Sequence, residues 1–257
     1  MMPFSEPRVR VVIPARFGSV RLPGKPLVDL AGRPMVVRVA ESVIEALPEA
    51  EVVVAVDDQR ILDVLGSFNL DGLMTSTSCL SGTDRAAEVA RSRGWGADDL
   101  VINVQGDEPL LPADLLRAFA LFCVSESIAM ATVSAPVATL DEVHDPNVVK
   151  LMVRSDDTAI TFSRSPIPFD RDREPSQWML DRYLRHLGLY AYRNGVLQSL
   201  TSAAPSIAEE TEKLEQLRAL WIGIPIHVMR WFEAPPGGVD TPEDVRRVSA
   251  VLEGVSA

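Results

Sequence analysis

A loop rich in cations follows the first apolar run of the chain. The stretch "VVIPARFGSVRLPGKP", residues 11–26, contains Arg16, Arg21 and Lys25 together with glycines that relax the backbone. Two guanidinium groups and an ammonium group can surround a polyphosphate through charge-assisted hydrogen bonds. A solvated loop with ordinary surface cations explains the same composition equally well, so spacing alone leaves both interpretations open.

The cation-rich loop does not match the known glycine-rich phosphate motifs. A P-loop has four residues between its glycines and a hydroxyl after its lysine. Here five residues separate Gly18 from Gly24, and Pro26 follows the lysine. The G-x-G-x-x-G spacing of a dinucleotide site is also missing from the sequence. A phosphate site in this loop would therefore differ from both of these motifs.

Two acidic positions provide candidate metal ligands. In "VINVQGDEPLLP", Gln105, Asp107 and Glu108 come directly after an apolar run. A carboxylate there can hold Mg²⁺ against phosphate oxygens, although Gly-Asp and Glu-Pro are also common turn dipeptides. In "GGVDTPEDVRRV", Thr241 is a good helix N-cap, which leaves Asp240 outside the helix as a candidate second ligand. We favour the metal interpretation because phosphates bound without a metal would be unusual.

Further polar groups occur in three segments. "SGTDR" provides Ser81, Gly82 and Thr83, which can contact a base or ribose, although capping of the following helix is the simpler interpretation. In "YLRHLGLYAYR", a period of two puts His186 and Tyr190 on one face of a strand, which suits either a polar ligand or a half-buried sheet surface. In "EETEKLEQLRALW", one side of the expected helix carries Glu212, Glu215 and Gln216, for which a solvated face is the default.

Short β-branched runs alternate with helical patterns over the first half of the chain. The strands expected are "RVRVVI", "EVVVAV" and "LVINV", and the helices expected are "PMVVRVAESVIEAL", "QRILDVLGSF", "DRAAEVARSRG" and "PADLLRAFALF". This order predicts a parallel sheet covered on both faces. Ligands of such sheets lie beyond the carboxyl ends of the strands, where the cation-rich loop, Asp57–Asp58 and "QGDEP" all fall.

The pattern changes from about residue 129. The runs "AMATVSAPV", "NVVKLMV", "AITFSR" and "HLGLYAYR" read as strands, followed by a helix, the short strand "IPIHVM" and the last helix "TPEDVRRVSAVL". We expect mixed or antiparallel pairing here, in a smaller β-rich sub-domain at roughly 155–200 that takes part in dimer contact. No linker separates two independent domains, so residues 1–257 are expected to form one domain.

Composition narrows the functional class. The 257 residues carry a formal net charge of −11, which argues against non-specific binding to nucleic acid or anionic membrane. Two cysteines are too few for a disulfide framework, and three histidines far apart in the sequence argue against a His-based zinc site. No signal peptide or membrane-spanning run is evident, so a cytoplasmic location is the simplest expectation.

Together these segments resemble the 3-deoxy-manno-octulosonate (KDO) cytidylyltransferase family, the CMP-KDO synthetases of lipopolysaccharide biosynthesis. The resemblance runs through nearly the whole chain in order: "IPARFGSVRLPGKP", "SGTDR", "INVQGDEP", "NVVKLMV", "FSRSPIPFDRDR", "LRHLGLYAYR", "EKLEQLRALW" and "VDTPEDVRRV". It implies a Rossmann-like fold of the nucleotide-diphospho-sugar transferase type with a mixed, mainly parallel sheet. It also implies a homodimer, a Mg²⁺ cofactor, and the reaction of CTP with KDO to CMP-KDO and pyrophosphate.

The resemblance also implies roles for individual residues. The catalytic residues would be Arg16, Lys25, Asp107 and Asp240, of which Asp107 and Asp240 would hold Mg²⁺. The nucleotide would be bound by Pro14, Ala15, Arg16, Arg21, Lys25, Ser81, Gly82, Thr83 and Asp107. The sugar would be bound by Gln105, Arg164, His186, Tyr190, Glu215 and Gln216, with Arg164 suited to the sugar carboxylate.

One departure from the family leaves the choice of sugar open. Family members commonly carry Asp-His-x before Ser-Gly-Thr, whereas this chain has Ser78, Cys79 and Leu80. A cytidylyltransferase for another acidic ulosonic sugar, such as 8-amino-KDO or a sialic acid, is therefore one alternative. A catalytically silent nucleotide-binding regulatory protein is another.

Overall fold

A mixed β-sheet forms the centre of the computed structural model, which describes residues 8–19, 21–79, 81–125 and 128–254. The strands are β1 (Val9–Ala15), β2 (Asp29–Leu30), β3 (Arg33–Pro34), β4 (Glu51–Val56), β5 (Gly72–Met74), β6 (Leu100–Asn103), β7 (Met130–Pro136), β8 (Lys150–Val153), β9 (Ala159–Ser163), β10 (Leu184–Arg193) and β11 (His227–Arg230). The helices are α1 (Met35–Ala46), α2 (Gln59–Ser67), α3 (Gly82–Arg93), α4 (Ala113–Ser125), α5 (Leu140–His144), α6 (Asn194–Ser202), α7 (Ile207–Glu212), α8 (Gln216–Trp221) and α9 (Pro242–Leu252).

The strand order is β11-β7-β10-β6-β1-β4-β5, with β8 and β9 continuing from β10. The strands β6, β1, β4 and β5 pair in parallel, as the alternation of strands and helices predicts. The long strand β10 runs antiparallel between β6 and β7. The expected change to mixed pairing in the second half of the chain is therefore confirmed, and β10 itself belongs to the central sheet.

Successive residues of each central strand point into two different hydrophobic cores. Val11 and Ile13 of β1 lie in the core that also contains the buried faces of α1 and α4, whereas Val12 lies in the core beneath α3 and α6. All three valine and isoleucine side chains have no exposed surface. This alternation follows from the period of two of a strand and requires helices on both faces of the sheet, as predicted.

Capping explains where two helices near the carboxyl edge begin. Ser81 caps α3 and Thr241 caps α9, and each forms a reciprocal capping box with the aspartate three residues later, Asp84 and Asp244. Helix α3 ends at Gly94 in the left-handed conformation, as expected. These caps fix the chain directly next to Gly82 and Asp240, which the sequence singled out as candidate site residues.

Several elements differ from the sequence-based prediction. The short β2–β3 hairpin, β5, α5 and α6 were not predicted. The single helix expected over "EETEKLEQLRALW" is two helices, because Lys213 takes the left-handed conformation at φ 54° and ends α7. Over residues 155–200, for which a β-rich sub-domain is predicted, β9 pairs with β8, two 3-10 turns follow, and β10 lies in the main sheet.

No helix in the described ranges is long and apolar enough to cross a membrane.

Candidate active site

Asp57 anchors the start of the cation-rich loop. It directly follows β4, the parallel neighbour of β1, and its Oδ1 accepts a hydrogen bond of 2.8 Å from the backbone N–H of Phe17. Its Oδ2 lies 3.9 Å from Nε of Arg16. The carboxylate therefore fixes the backbone where the chain leaves β1, and it holds Arg16 near the edge of the sheet.

A buried arginine holds Asp57 in turn. Arg85 on α3 has no exposed surface, and its two terminal nitrogens donate to Oδ2 of Asp57 at 3.0 Å and to Oγ1 of Thr75 at 2.6 Å. A buried charge is tolerated when it is both paired and hydrogen-bonded, as this one is. The sequence analysis placed Asp57 at the carboxyl end of a strand but did not single out Arg85, because no local pattern indicates a contact over this distance in the chain.

The loop cations meet the two predicted metal ligands. Nζ of Lys25 donates to Oδ2 of Asp107 at 2.5 Å and to Oδ1 of Asp240 at 2.8 Å, and Nη2 of Arg21 lies 3.0 Å from the same Asp240 oxygen. Burial alone would lower the pKa of Lys25, but both carboxylates favour its charged form and raise that pKa above its ordinary value. The structure thus brings together three segments that are far apart in sequence.

Backbone contacts explain how Asp240 reaches this cluster. The N–H of Val239 donates to the carbonyl oxygen of Asp107 at 2.8 Å. A side chain at Gly238 would place its Cβ 2.8 Å from that same oxygen, so the close approach requires glycine. The C-terminal segment therefore lies directly against "QGDEP", and the register of this contact sets the position of Asp240.

The cluster lies at one side of a cleft of about 320 Å³, which we term the charged cleft. It is lined by Pro14, Ala15, Arg16, Gly18, Ser19, Arg21, Lys25, Pro26, Met35, Gly82, Gln105, Gly106, Asp107 and Asp240. The cations of the loop and the two aspartates thus share one open space at the carboxyl ends of β1 and β6. This position is the one expected for a ligand of a parallel sheet.

A second cavity of about 210 Å³ adjoins the first, and we term it the tyrosine pocket. It is lined by Gly82, Thr83, Asn103, Gln105, Met130, His186, Gly188, Tyr190, Tyr192, Leu200, Lys213, Leu214, Glu215 and Gln216. Gly82 and Gln105 line both cavities, so they form the wall between them. The face of β10 that a period of two predicts, from His186 to Tyr192, lines this pocket despite an irregularity in the β7–β10 register.

The tyrosine pocket combines hydroxyl and amide groups with the carboxyl group of Glu215. Thr83 donates to Oε2 of Glu215 at 2.7 Å, and Nε2 of Gln105 donates to the carbonyl oxygen of Gly188 at 3.2 Å. Burial raises the pKa of Glu215, while hydrogen bonds from Thr83 and Ser81 oppose that rise. Desolvation also raises the pKa of Tyr190 well above its ordinary value, so this phenol stays protonated and can donate.

His186 is neutral in this pocket. Desolvation lowers the pKa of the imidazole to about 3. Its Nε2 lies 2.9 Å from Oγ1 of Thr132, and its ring packs against the rings of Phe162 and Tyr190 at centroid distances of 5.2 Å. The imidazole is therefore a hydrogen-bonding group rather than a cation at neutral pH.

The left-handed residue between α7 and α8 decides which polar groups face the pocket. Beyond Lys213, the chain presents Glu215 and Gln216 to the cavity. Glu212 instead accepts hydrogen bonds from Oγ of Ser163 and from the backbone N–H of Arg164, both at 2.7 Å. The predicted helix would have put all three acidic or amide side chains on one side, and the break separates them.

Arg164 lines neither cavity. Its Nε donates to the carbonyl oxygen of Glu212 at 2.6 Å, and its Nη1 donates to that of Pro146 at 2.8 Å. Its guanidinium group thus holds the segment before Lys213 rather than pointing into the tyrosine pocket. Lys213 is the cation that lines this pocket, and among the described residues no carboxylate lies within ion-pair distance of it.

The remaining predicted residues have mainly structural contacts. Ser81 lines neither cavity and caps α3, as the simpler interpretation held. Ser78 and Cys79 line a separate surface depression near Glu88, whose carboxylate accepts a hydrogen bond from Sγ of Cys79 at 3.0 Å. Leu80 lies outside the described residues. The two described residues of the departure from the family motif therefore do not line either cavity.

Comparison with known proteins gives consistent results over nearly the whole chain. The family model described as cytidylyltransferase matches residues 10–227. A 3-deoxy-manno-octulosonate cytidylyltransferase 2 of Paraburkholderia phytofirmans is 55% identical over 246 residues, which are 95% of this chain and 94% of that protein.

Solved structures extend the comparison to the fold. The CMP:2-keto-3-deoxy-manno-octonic acid synthetase complexed with CTP matches with a TM-score of 0.87 and 38% identity, covering 96% of this chain and 99% of that one. A cytidylyltransferase from Leptospira borgpetersenii matches with a TM-score of 0.63 and 14% identity over 98% of this chain and 89% of that one. The second likeness concerns the fold alone. The predicted mixed, mainly parallel sheet with helices of the nucleotidyltransferase type is confirmed by these matches.

The lowered pKa of His186 predicts an acid-dependent loss of stability. The folded-state pKa of about 3 lies below the unfolded-state value near 6.5, so the contribution of the neutral ring is fully present above pH 6.5 and falls with pH below it. Lowering the pH from about 7.5 to about 5.5 should therefore reduce the free energy of unfolding by about 1 kcal/mol through this group. Urea unfolding of the wild type and of His186→Gln at both pH values measures the difference, and an equally steep loss in the variant would contradict it.

Proposed function

The chain belongs to the cytidylyltransferase family, and we propose that it couples CTP to 3-deoxy-D-manno-octulosonate (KDO) to give CMP-KDO and pyrophosphate. The observation that carries this function is the pair of adjoining cavities at the carboxyl edge of the sheet. One combines loop cations with two carboxylates, as a nucleoside triphosphate requires. The other offers hydrogen-bonding groups, one carboxyl group and one lysine, as a polyhydroxylated acid requires.

The reaction is an in-line displacement at phosphorus. The anomeric hydroxyl oxygen of the sugar forms a bond to the α-phosphorus of CTP, the bond from that phosphorus to the bridging oxygen breaks, and pyrophosphate leaves. The hydroxyl proton is released in the same process. Charge develops on phosphate oxygens, so catalysis depends on positioning and electrostatic stabilisation, and no covalent enzyme intermediate is needed.

The charged cleft holds the nucleotide. Arg16, Arg21 and Lys25 are its cations and would bind the triphosphate, and the raised pKa keeps Lys25 charged. Pro14, Ala15 and Gly82 line the same cleft and would contact the base and ribose through their backbone. Thr83 lies one residue further, on the tyrosine-pocket side of the dividing wall.

The residues at the cleft fit a divalent cation. Asp107 and Asp240 each place a carboxylate oxygen within 2.8 Å of Lys25 Nζ. Both carboxylates can therefore reach the same small volume, which already favours a positive charge. Within the described part of the chain, no three His, Cys, Asp or Glu side chains gather as a metal site. Two carboxylates alone suit Mg²⁺, which keeps waters and shares phosphate oxygens with its substrate. Bound there, Mg²⁺ would neutralise charge on the phosphates.

The tyrosine pocket holds the sugar. Gln105, His186, Tyr190, Glu215 and Gln216 line it and would hydrogen-bond the sugar hydroxyls. Lys213 meets the sugar carboxylate, because it is the lysine that lines this pocket. Arg164 acts as a positioning residue, since its guanidinium group holds the backbone of the residue that precedes Lys213.

A homodimer and a cytoplasmic location complete the proposal. Large apolar side chains stay exposed along the segment that was expected to contact a partner, among them Ile160, Phe169 and Met179 at 47%, 72% and 40%. Large apolar side chains exposed along one segment suit a protein contact. A cytoplasmic location is consistent with the supply of CTP.

Turnover with a panel of sugars tests the activity. Pyrophosphate release with CTP and Mg²⁺ should be fastest with KDO, because the matched relatives share 55% and 38% identity over nearly the whole chain and bear that substrate's name. The panel should also contain 8-amino-KDO and a sialic acid. Absence of turnover with KDO together with turnover of another acid would replace the proposed sugar. Absence of turnover with every acid, with CTP still bound, would favour a regulatory role.

Neutralising either predicted metal ligand should nearly abolish turnover. In Asp107→Asn and Asp240→Asn the fold should persist, because each carboxylate is partly exposed, while kcat should fall at least about 100-fold. Asp71→Asn is a matched control, since its side chain is also 45% exposed and also paired, here with Arg93. Near-normal activity of either variant at low Mg²⁺ would show that the metal assignment is wrong.

The role of Lys213 predicts a selective loss of sugar binding. Lys213→Met should raise the KM for KDO by about 10- to 100-fold, the cost of a hydrogen bond to a charged group, with little change in the KM for CTP. Lys213→Arg should recover part of this loss. The carboxamide analogue of KDO should bind wild type and Lys213→Met alike. The opposite result would be a raised KM for KDO in Arg164→Met and an unchanged KM in Lys213→Met. In that case Arg164 would be the residue that contacts the sugar carboxylate.

A further inference from the structure

Asn103 has a buried acceptor without a donor. It is the last residue of β6, 2% of its surface is exposed, and it lines the tyrosine pocket. Among the described residues no donor reaches its Oδ1. An unsatisfied buried acceptor costs about 1–3 kcal/mol, and native proteins contain few of them. Because Asn103 lines a cavity, we expect a bound ligand to provide the hydrogen-bond donor that this acceptor lacks.

The surroundings of Asn103 place it beside the dividing wall of the two cavities. In the sheet it is paired with Val12 of β1 and with Tyr190 of β10. Its Nδ2 lies 3.5 Å from the point that a Cβ on Gly82 would occupy, and Gly82 lines both cavities. Of the two cavities, Asn103 lines only the tyrosine pocket, so a ligand in that pocket is the one that lies next to its amide group.

A complementary donor lies in the same pocket. Gln216 is 5% exposed, and among the described residues its Nε2 has no acceptor. The pocket therefore contains one unsatisfied acceptor and one unsatisfied donor, both on buried and rigid elements. Hydroxyl groups can donate to the first and accept from the second. A polyol satisfies both, whereas an apolar ligand of the same size would leave both unpaired.

We propose that Asn103 is a specificity-determining residue, whose Oδ1 accepts a hydrogen bond from one hydroxyl group of the sugar acid. The inference rests on the proposed function, because it names a contact of the same substrate. Such a contact discriminates strongly against the analogue without the hydroxyl, since the buried acceptor is then left unpaired. Asn103 contributes in this way to the choice among acidic sugars of similar size.

A double-mutant cycle between the protein and the sugar tests the contact. Asn103→Ala should lower kcat/KM for KDO about 10- to 100-fold, while the affinity for CTP measured by calorimetry stays within about threefold. The wild type and the variant are then compared on KDO analogues that each lack one hydroxyl group. For one of these analogues, kcat/KM should fall relative to KDO with the wild type but should change little with the variant. Additive losses for every analogue would overturn the assignment.

Two controls separate the contact from a structural effect. Asn147→Ala removes an exposed amide in the loop after α5 and should leave kinetics unchanged. Asn103→Ser keeps a hydroxyl acceptor, and thermal unfolding of both Asn103 variants without ligand should stay near that of the wild type. A large loss of stability in both would show that Asn103 is structural and overturn the inference. Wild type that turns over no KDO would overturn the proposed function, and the assignment of Asn103 with it.

Discussion

One ammonium group lies between two carboxylates that the fold brings together from distant parts of the chain. Asp107 follows a central strand and Asp240 precedes the last helix, and two such groups repel each other unless a cation lies between them. Lys25 provides that cation and is itself held charged by the pair. The loop, the carboxyl end of β6 and the C-terminal segment therefore depend on one another. Each also contributes a group to the charged cleft.

The arrangement suits an anionic substrate with a metal. The cleft contains three loop cations and two carboxylates, so it attracts phosphate while retaining oxygen ligands for a hard cation. Behind it, the buried pair of Arg85 and Asp57 fixes the backbone from which the loop starts. The active loop thus combines exposed functional groups with a rigid anchor, which is the condition for electrostatic preorganisation.

Sequence patterns predicted those parts of the molecule that follow from local rules. Strand runs, helix caps and the period of two in β10 were sufficient to place His186 and Tyr190 on one pocket wall. Patterns failed where a single backbone conformation or a distant contact decides the outcome. The left-handed turn at Lys213 interrupts an otherwise regular helical pattern, and it changes which acidic side chain faces the cavity. The surroundings of Arg164, Asn103 and Asp57 come from distant parts of the chain, which no local pattern reveals.

The tyrosine pocket takes a large share of its wall from one strand, whose alternate residues also belong to a hydrophobic core. His186, Gly188 and Tyr190 face the cavity, whereas Leu187, Leu189 and Ala191 pack beneath the helices on the other face. Along β10, parity therefore separates the ligand contacts from the core that contains α1 and α4. Exchanges at the even-numbered positions can change which acid is accepted while the packing against α1 and α4 stays intact. Divergence of substrate choice within this fold can thus proceed by single side-chain replacements on a rigid strand.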